Sequence, residues 1–134
     1  CFVLISDDLI FYKNLVATLR YLSLDHHLIQ RFTTLNKAIS QSKNLLNQFK
    51  HLTCFIEAYI HGRSNILQFN MIKSLLKEQI KILCLTNEIE RQYIIQMFEM
   101  GADNVIIKPI SINSLIQKIA TTINPGSSWS KKID

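Results

Sequence analysis

The sequence predicts a doubly wound α/β domain built on a five-stranded parallel sheet, and three observations carry that reading. Short, nearly unbroken apolar runs recur along the chain, as strands buried on both faces require. Between them lie stretches whose apolar residues recur at helical spacing. Asp7, Asp8, Glu57, Thr86 and Lys108 each fall where such a run ends. Strands alternating with helices are joined by right-handed crossovers, which cover both faces of a parallel sheet.

Phe2-Val3-Leu4-Ile5 reads as the first strand, followed by a helix marked by Phe11, Leu15, Leu19 and Leu22. His27-Leu28-Ile29-Gln30-Arg31-Phe32 is a mixed run suited to a strand nearer the sheet edge. Thr33 or Thr34 can cap a second helix carrying Leu35, Ala38, Ile39, Leu45 and Leu46. Leu52–Glu57 is the third strand. A loop through His61-Gly62-Arg63-Ser64 leads to a helix with Ile66, Leu67, Met71, Ile72, Leu75 and Leu76. Ile80–Thr86 is the fourth strand. The fourth helix carries Ile89, Tyr93, Ile94, Met97 and Phe98, and ends at Gly101, a residue free to take the left-handed conformation that stops a helix. Val105-Ile106-Ile107 is the fifth strand, closed by Pro109. Ser111 or Asn113 then opens a last helix with Ile112, Leu115, Ile116, Ile119 and Ile123 on one face. Asn124-Pro125-Gly126-Ser127-Ser128 breaks the pattern, so residues 1–123 are expected to form one domain and 124–134 a linker toward a missing C-terminal output domain.

A chain of 134 residues, nearly half of them apolar, buries a core without staples. No run approaches the ~18 apolar residues of a membrane span, and no signal peptide opens the chain. The three cysteines have no metal-like spacing; Cys54 and Cys84 sit in apolar runs as small hydrophobes, which favours a reducing cytoplasm. The +5 charge is spread over Lys13, Arg20, Arg31, Lys37, Lys43, Lys50, Lys73, Lys77 and Lys81 without interleaved aromatics, the pattern of solvated faces and not of a nucleic-acid patch. His26, His27, His51 and His61 show no ligand spacing, and His61 alone falls near the strand ends of interest.

In an open α/β sheet, ligands bind outside the C-terminal strand ends, where Asp7, Asp8, Glu57, Thr86 and Lys108 all fall. Three carboxylates brought together repel unless a cation sits among them. A hard divalent ion such as Mg²⁺ suits Asp7, Asp8 and Glu57, while Lys108 and Thr86 offer a charge and a hydroxyl to a phosphoryl group. The stretches "VLISDD", "ILCLT" and "MGADNVIIKPI", in that order and spacing, resemble the receiver domain of two-component response regulators over roughly residues 2–123. Gly101-Ala102-Asp103 ahead of Lys108-Pro109 is the most specific piece. The resemblance implies a CheY/flavodoxin-like (βα)5 fold with strand order 2-1-3-4-5 and a cis Lys108–Pro109 bond. It implies Mg²⁺ on Asp7 and Asp8, a histidine kinase as phosphate donor to position 57, and phosphoryl contacts from Thr86 and Lys108.

Position 57, however, is Glu where the family has its acceptor Asp, and no aspartate occurs between Asp25 and Asp103 to replace it. The longer side chain is expected to meet Lys108 and Thr86 as a permanent imitation of the charged state, with Mg²⁺ weakly bound or absent. Asn87 stands in the phosphate pocket where a small residue is usual, His61 where a proline is common, and Val105 in place of the ring whose rotamer reports phosphorylation. These departures point to a phosphorylation-independent receiver and not an enzyme. Such a module acts by homodimerisation or by binding a regulatory protein, through Tyr93, Met97 and Ile116 on the face of the fourth and fifth helices. It reaches DNA only through the missing output domain. Asn113 lacks the arginine of one large DNA-binding subfamily. An alternative makes Glu57 an engineered phosphomimetic in a working Mg²⁺-binding receiver. A phosphohydrolase-like Mg²⁺ enzyme needs an acceptor nucleophile. A flavin- or nucleotide-binding protein needs a glycine-rich loop after the first strand, and "SDDLIF" has no glycine.

Overall fold

The structure, a computed structural model, describes residues 2–24, 28–48 and 51–123. Strands β1 (Phe2–Ile5), β2 (Leu28–Phe32), β3 (Leu52–Glu57), β6 (Ile80–Thr86) and β7 (Asn104–Ile107) form one parallel sheet in the order β2-β1-β3-β6-β7. Counted among the sheet strands alone, that is the expected 2-1-3-4-5. Two further short strands, β4 (Tyr59–Ile60) and β5 (Arg63–Ser64), pair antiparallel within the connection after β3. The helices are α1 (Leu9–Tyr21), α2 (Leu35–Gln48), α3 (Phe69–Leu76), α4 (Arg91–Glu99) and α5 (Ile112–Ile123).

Every residue of β1 and β3 is buried, and all of β6 except Lys81. The alternation of side chains along each strand divides these residues between two cores. Phe2, Leu4, Phe55, Leu83, Leu85 and Ile106 face α1 and α5. The intervening Val3, Ile5, Cys54, Ile56, Ile82, Cys84 and Val105 face α2, α3 and α4. Phe55 centres the first core with its ring 6.3 Å from those of Phe2 and Phe11. Burying a ring of that kind stabilises by ~1.5–3 kcal/mol.

Two helices depart from the expected phase. A 3-10 turn, Ile66–Gln68, precedes α3. Its three residues per turn shift the apolar stripe relative to an uninterrupted α-helix. Ile66, Phe69 and Ile72 are therefore buried, while Leu67, Met71 and Leu75 are exposed. Ile89 lies before α4 and is exposed, as is Phe98; Met97 is the residue of α4 that the core takes in fully. Gly101 ends α4 as expected, with φ +118, while the Ala102 N–H reaches back to the Met97 carbonyl at 3.1 Å.

The Gly101-Ala102-Asp103 segment works at the N-terminal edge of the sheet. Asp103 accepts the Ile82 N–H at 2.8 Å and pairs with Lys73 of α3. At the other edge the Lys108–Pro109 bond is cis. No helix among the described residues is long and apolar enough to cross a membrane. His27, Leu45, Leu46, Lys43, Lys50, Trp129 and the 124–134 segment lie outside the described residues or side chains.

Candidate functional site: a closed carboxylate–lysine network

β1 stops at Ile5 because the next residues are polar, and Ser6 is the first of them. Its N–H bonds the Phe32 carbonyl at 2.9 Å, which fixes it between β1 and β2 with its side chain fully buried. The Ser6 hydroxyl donates to Glu57 Oε2 at 2.6 Å and accepts the Asp8 N–H at 3.0 Å. Arg31 at the end of β2 donates to the Ser6 carbonyl at 3.1 Å, its guanidinium 5.6 Å from the centre of the Tyr12 ring.

Asp8 caps α1. Its backbone is extended, with φ −83 and ψ 100, and its Oδ1 accepts the Phe11 N–H at 3.0 Å. That leaves Oδ2 facing the cleft, 2.9 Å from Lys108 Nζ. Glu57 ends β3 at 6% exposure, and the same ammonium reaches its Oε2 at 2.7 Å. Lys108 is delivered by β7: its N–H bonds the Thr86 carbonyl at 2.8 Å. Asn65 holds the backbone at position 57, donating from its amide to the Glu57 carbonyl at 2.9 Å.

The Phe11 N–H, chiefly, holds the Asp8 carboxyl below its ordinary pKa; burial opposes this and Lys108 assists it. For Lys108, burial pulls the value down, but the hydrogen bonds and charges of Glu57 and Asp8 outweigh it, so the pKa lies above the ordinary lysine value. The ammonium is thus a fixed charge shared by two carboxylates. Burial pushes the thiols of Cys54 and Cys84 up to about 12, which leaves them protonated at neutral pH and without nucleophilic character.

Of the residues the sequence singles out, the structure brings Asp8, Glu57 and Lys108 together. Asp7 turns outward, and its Oδ2 lies 3.5 Å from His61 Nε2, with both side chains largely exposed. Thr86 is buried, but its hydroxyl accepts the Glu88 N–H at 3.0 Å. No hydrogen bond joins Thr86 to Glu57, so the expected meeting of those two side chains is corrected to one of Glu57 with Ser6 and Lys108. Asn87 is exposed and, among the described residues, forms no hydrogen bond to the network. Met97 and Ile116, expected to be shared between core and interface, are buried at 1% and 4% exposure, Met97 within the core of α2, α3 and α4. Tyr93 is exposed.

Sequence reasoning missed Ser6, Arg31 and Asn65. Ser6 had a signal, a polar residue wedged between an apolar run and an acidic pair. Arg31 and Asn65 act through backbone carbonyls, and no spacing announces them.

The expected metal set fares differently. Among the described residues no three His, Cys, Asp or Glu side chains stand close enough to hold an ion together. Asp7 diverges toward His61, while Asp8 and Glu57 converge on an ammonium. As they stand, Asp7, Asp8 and Glu57 do not fit Mg²⁺.

No protein-family model matches the chain, and no curated protein matches it. Solved structures do. A two-component response regulator from Clostridium difficile superposes with a TM-score of 0.70 at 19% identity, covering 94% of this chain and 98% of that one. A chain of the CheX–CheY–BeF3–Mg complex from Borrelia burgdorferi gives 0.72 at 15% identity, over 90% of this chain and 86% of its own. A response regulator from Thermotoga maritima gives 0.71 at 15% identity, over 91% and 95%. The fold is therefore that of the response regulator receiver domains, a CheY-like α/β domain.

Proposed function

We propose that this chain is a receiver-type signalling module that works without phosphorylation at position 57. The observation that supports it is the occupation of Glu57 Oε2 by two donors, Ser6 at 2.6 Å and Lys108 at 2.7 Å. A phosphoacceptor must present a free carboxylate oxygen to the incoming phosphorus; Oε2 is engaged in a buried network, which leaves Oε1, carried on a side chain one methylene longer than the aspartate of the family this chain resembles. Thr86, whose hydroxyl would donate to a phosphoryl group, makes no hydrogen bond to Glu57 and accepts the Glu88 N–H instead.

On this reading the domain is not an enzyme, is cytoplasmic, and acts by contact. Ile95 and Phe98 of α4, Ile107 at the end of β7 and Ile112 at the start of α5 are exposed, together with Tyr93. These suit a second copy of the chain or a regulatory protein. Residues 124–134 serve as a linker to an output domain of the DNA-binding, transcription-regulating kind.

The test is intact-mass measurement after incubation with acetyl phosphate and Mg²⁺, on the native chain and on Glu57→Asp. The native chain is expected to gain no phosphoryl group, and a stoichiometric adduct on it sinks the proposal. An adduct on Glu57→Asp alone would mean that only the acceptor was lost, the outcome an engineered Glu57 also requires. No adduct on either would extend the change to Asn87 and the acidic pair.

A further inference from the structure

We infer that Lys108 is the resident cation of this cleft and that Ser6, by holding Glu57 onto it, makes the site one that excludes a divalent metal. The inference concerns the same cleft and takes Glu57 as a fixed carboxylate, yet it can fail separately from the function proposed above.

Asp8 Oδ2 and Glu57 Oε2 both face Lys108 Nζ, at 2.9 and 2.7 Å. A divalent ion using those two oxygens would take each at ~2.0–2.1 Å and need near-octahedral space for its waters. It would then lie within a few ångströms of a positive nitrogen whose side chain is only 13% exposed, where the repulsion is weakly screened. The ammonium can leave only by abandoning both partners, and among the described residues no third carboxylate converges with them.

Glu57 cannot readily move instead. Its longer side chain brings Oε2 within 2.6 Å of the Ser6 hydroxyl, and Ser6 is itself buried and held by its backbone. The Ser6 hydroxyl also accepts the Asp8 N–H at 3.0 Å, its own N–H is bonded to Phe32, and its carbonyl takes Arg31. One buried hydroxyl therefore sets the position of both acidic residues relative to the lysine. Asp7, which a metal would recruit next, is turned toward His61 on the hairpin, where His61 and Gly62 have φ of 51 and 75. The two inward carboxylates share one ammonium, so the cation that three converging acids would demand is already supplied in covalent form.

Ser6 is thus a positioning residue, and metal affinity is the readout that a merely structural role would not move. Mg²⁺ is titrated into the native chain and variants, followed by the backbone amides of residues 6–8 and 57–58, with Mn²⁺ broadening of the same amides as a second probe. The native chain is expected to show no saturable response up to tens of millimolar. Lys108→Met and Lys108→Gln should each acquire saturable binding, at least about tenfold tighter than any residual native response, a gain of about 1.4 kcal/mol. Lys108→Gln keeps a hydrogen-bond donor and serves if Lys108→Met does not fold. Ser6→Ala should respond to Mg²⁺ at a concentration several-fold below that of any residual native response, and Ser6→Thr should restore native behaviour. Saturable native binding as tight as that of the lysine variants overturns the inference, as does a folded Lys108→Gln with no gain. An unchanged Ser6→Ala removes the role given to Ser6. An acetyl phosphate adduct without Mg²⁺ uptake would refute the proposed function alone, and Mg²⁺ uptake without an adduct would refute this inference alone.

Discussion

The two sides of the cleft are built to different rules. On the side of β1, β3 and β7, Ser6, Asp8, Glu57 and Lys108 share hydrogen bonds of 2.6 to 3.0 Å in a closed set. Beside them, Thr86 at the end of β6 bonds its own loop through Glu88, and Val105 of β7, paired with Cys84, fills a core position. In the family this chain resembles, the two sides report to each other through a threonine and a ring. Here the charged side is held by side-chain hydrogen bonds, and the Thr86 side, the relay side in that family, meets it through the backbone bond from the Lys108 N–H to the Thr86 carbonyl. The Glu57 carboxylate therefore meets the ammonium without drawing the Thr86 hydroxyl toward it. Among the described residues no side-chain hydrogen bond couples the two sides.

The sharpest way to break this contrast is Lys108→Met. It leaves Glu57, 8% exposed on its side chain, and Asp8, 30% exposed, facing each other without a cation. Removing one partner of a buried pair costs about 3 kcal/mol, with the less buried Asp8 contributing the smaller share. A domain of this size has stability enough to fold with that loss. Urea unfolding measures it. A loss below about 1 kcal/mol would mean that the network is loose, and the fixed side of the cleft would no longer differ from the relay side.

The same contrast explains what could be read from the sequence. The strands were legible because a parallel sheet buried on both faces demands unbroken apolar runs, and each run's last residue points to one edge. Asp8, Glu57 and Lys108 were found on that logic. Position along the chain does not give direction, however. Asp7 and Asp8 are neighbours, yet only Asp8 turns inward, because capping α1 commits its backbone and one of its oxygens. Thr86 was placed correctly at its strand end, but the choice between a local turn and the cleft depends on the path of the next two residues. The 3-10 turn before α3 shifted a stripe that looked continuous in sequence, which is why Leu67, Met71 and Leu75 lie outside and Phe69, unmarked by the pattern, lies at 0% exposure. Met97 and Ile116 read in sequence as shared between core and interface, and their burial shows the core half of that reading.

Thr86→Val probes the other side and should have a smaller effect. It removes the 3.0 Å bond to the Glu88 N–H and keeps the volume. Glu88 is exposed, so water can take the freed N–H, and the loss should be about 1 kcal/mol or less. The informative readout is the side-chain carboxyl resonance of Glu57, which should not shift. A shift comparable to that caused by Lys108→Met would show that the two sides communicate after all.

The smallest expected effect isolates one charge within the fixed side. The folded pKa of Asp8 lies below its ordinary 3.8, mainly through the Phe11 N–H and secondarily through Lys108. Its stabilising contribution is therefore complete above pH ~4 and is lost as pH falls through the lowered folded value, because only there does the native state take up the proton. Asp8→Asn keeps a capping side chain and removes the charge, since asparagine caps helices about as well as aspartate. The native chain should exceed Asp8→Asn in stability by a modest amount at neutral pH, modest because Asp8 is partly solvated and its pair with Lys108 is screened. That difference should shrink steadily as pH drops below ~4, where both side chains are neutral. Thermal unfolding of the two proteins between neutral and strongly acidic pH measures it. A difference that stays constant across the range would mean that neither the Phe11 N–H nor Lys108 favours the ionised form of Asp8 in the folded state.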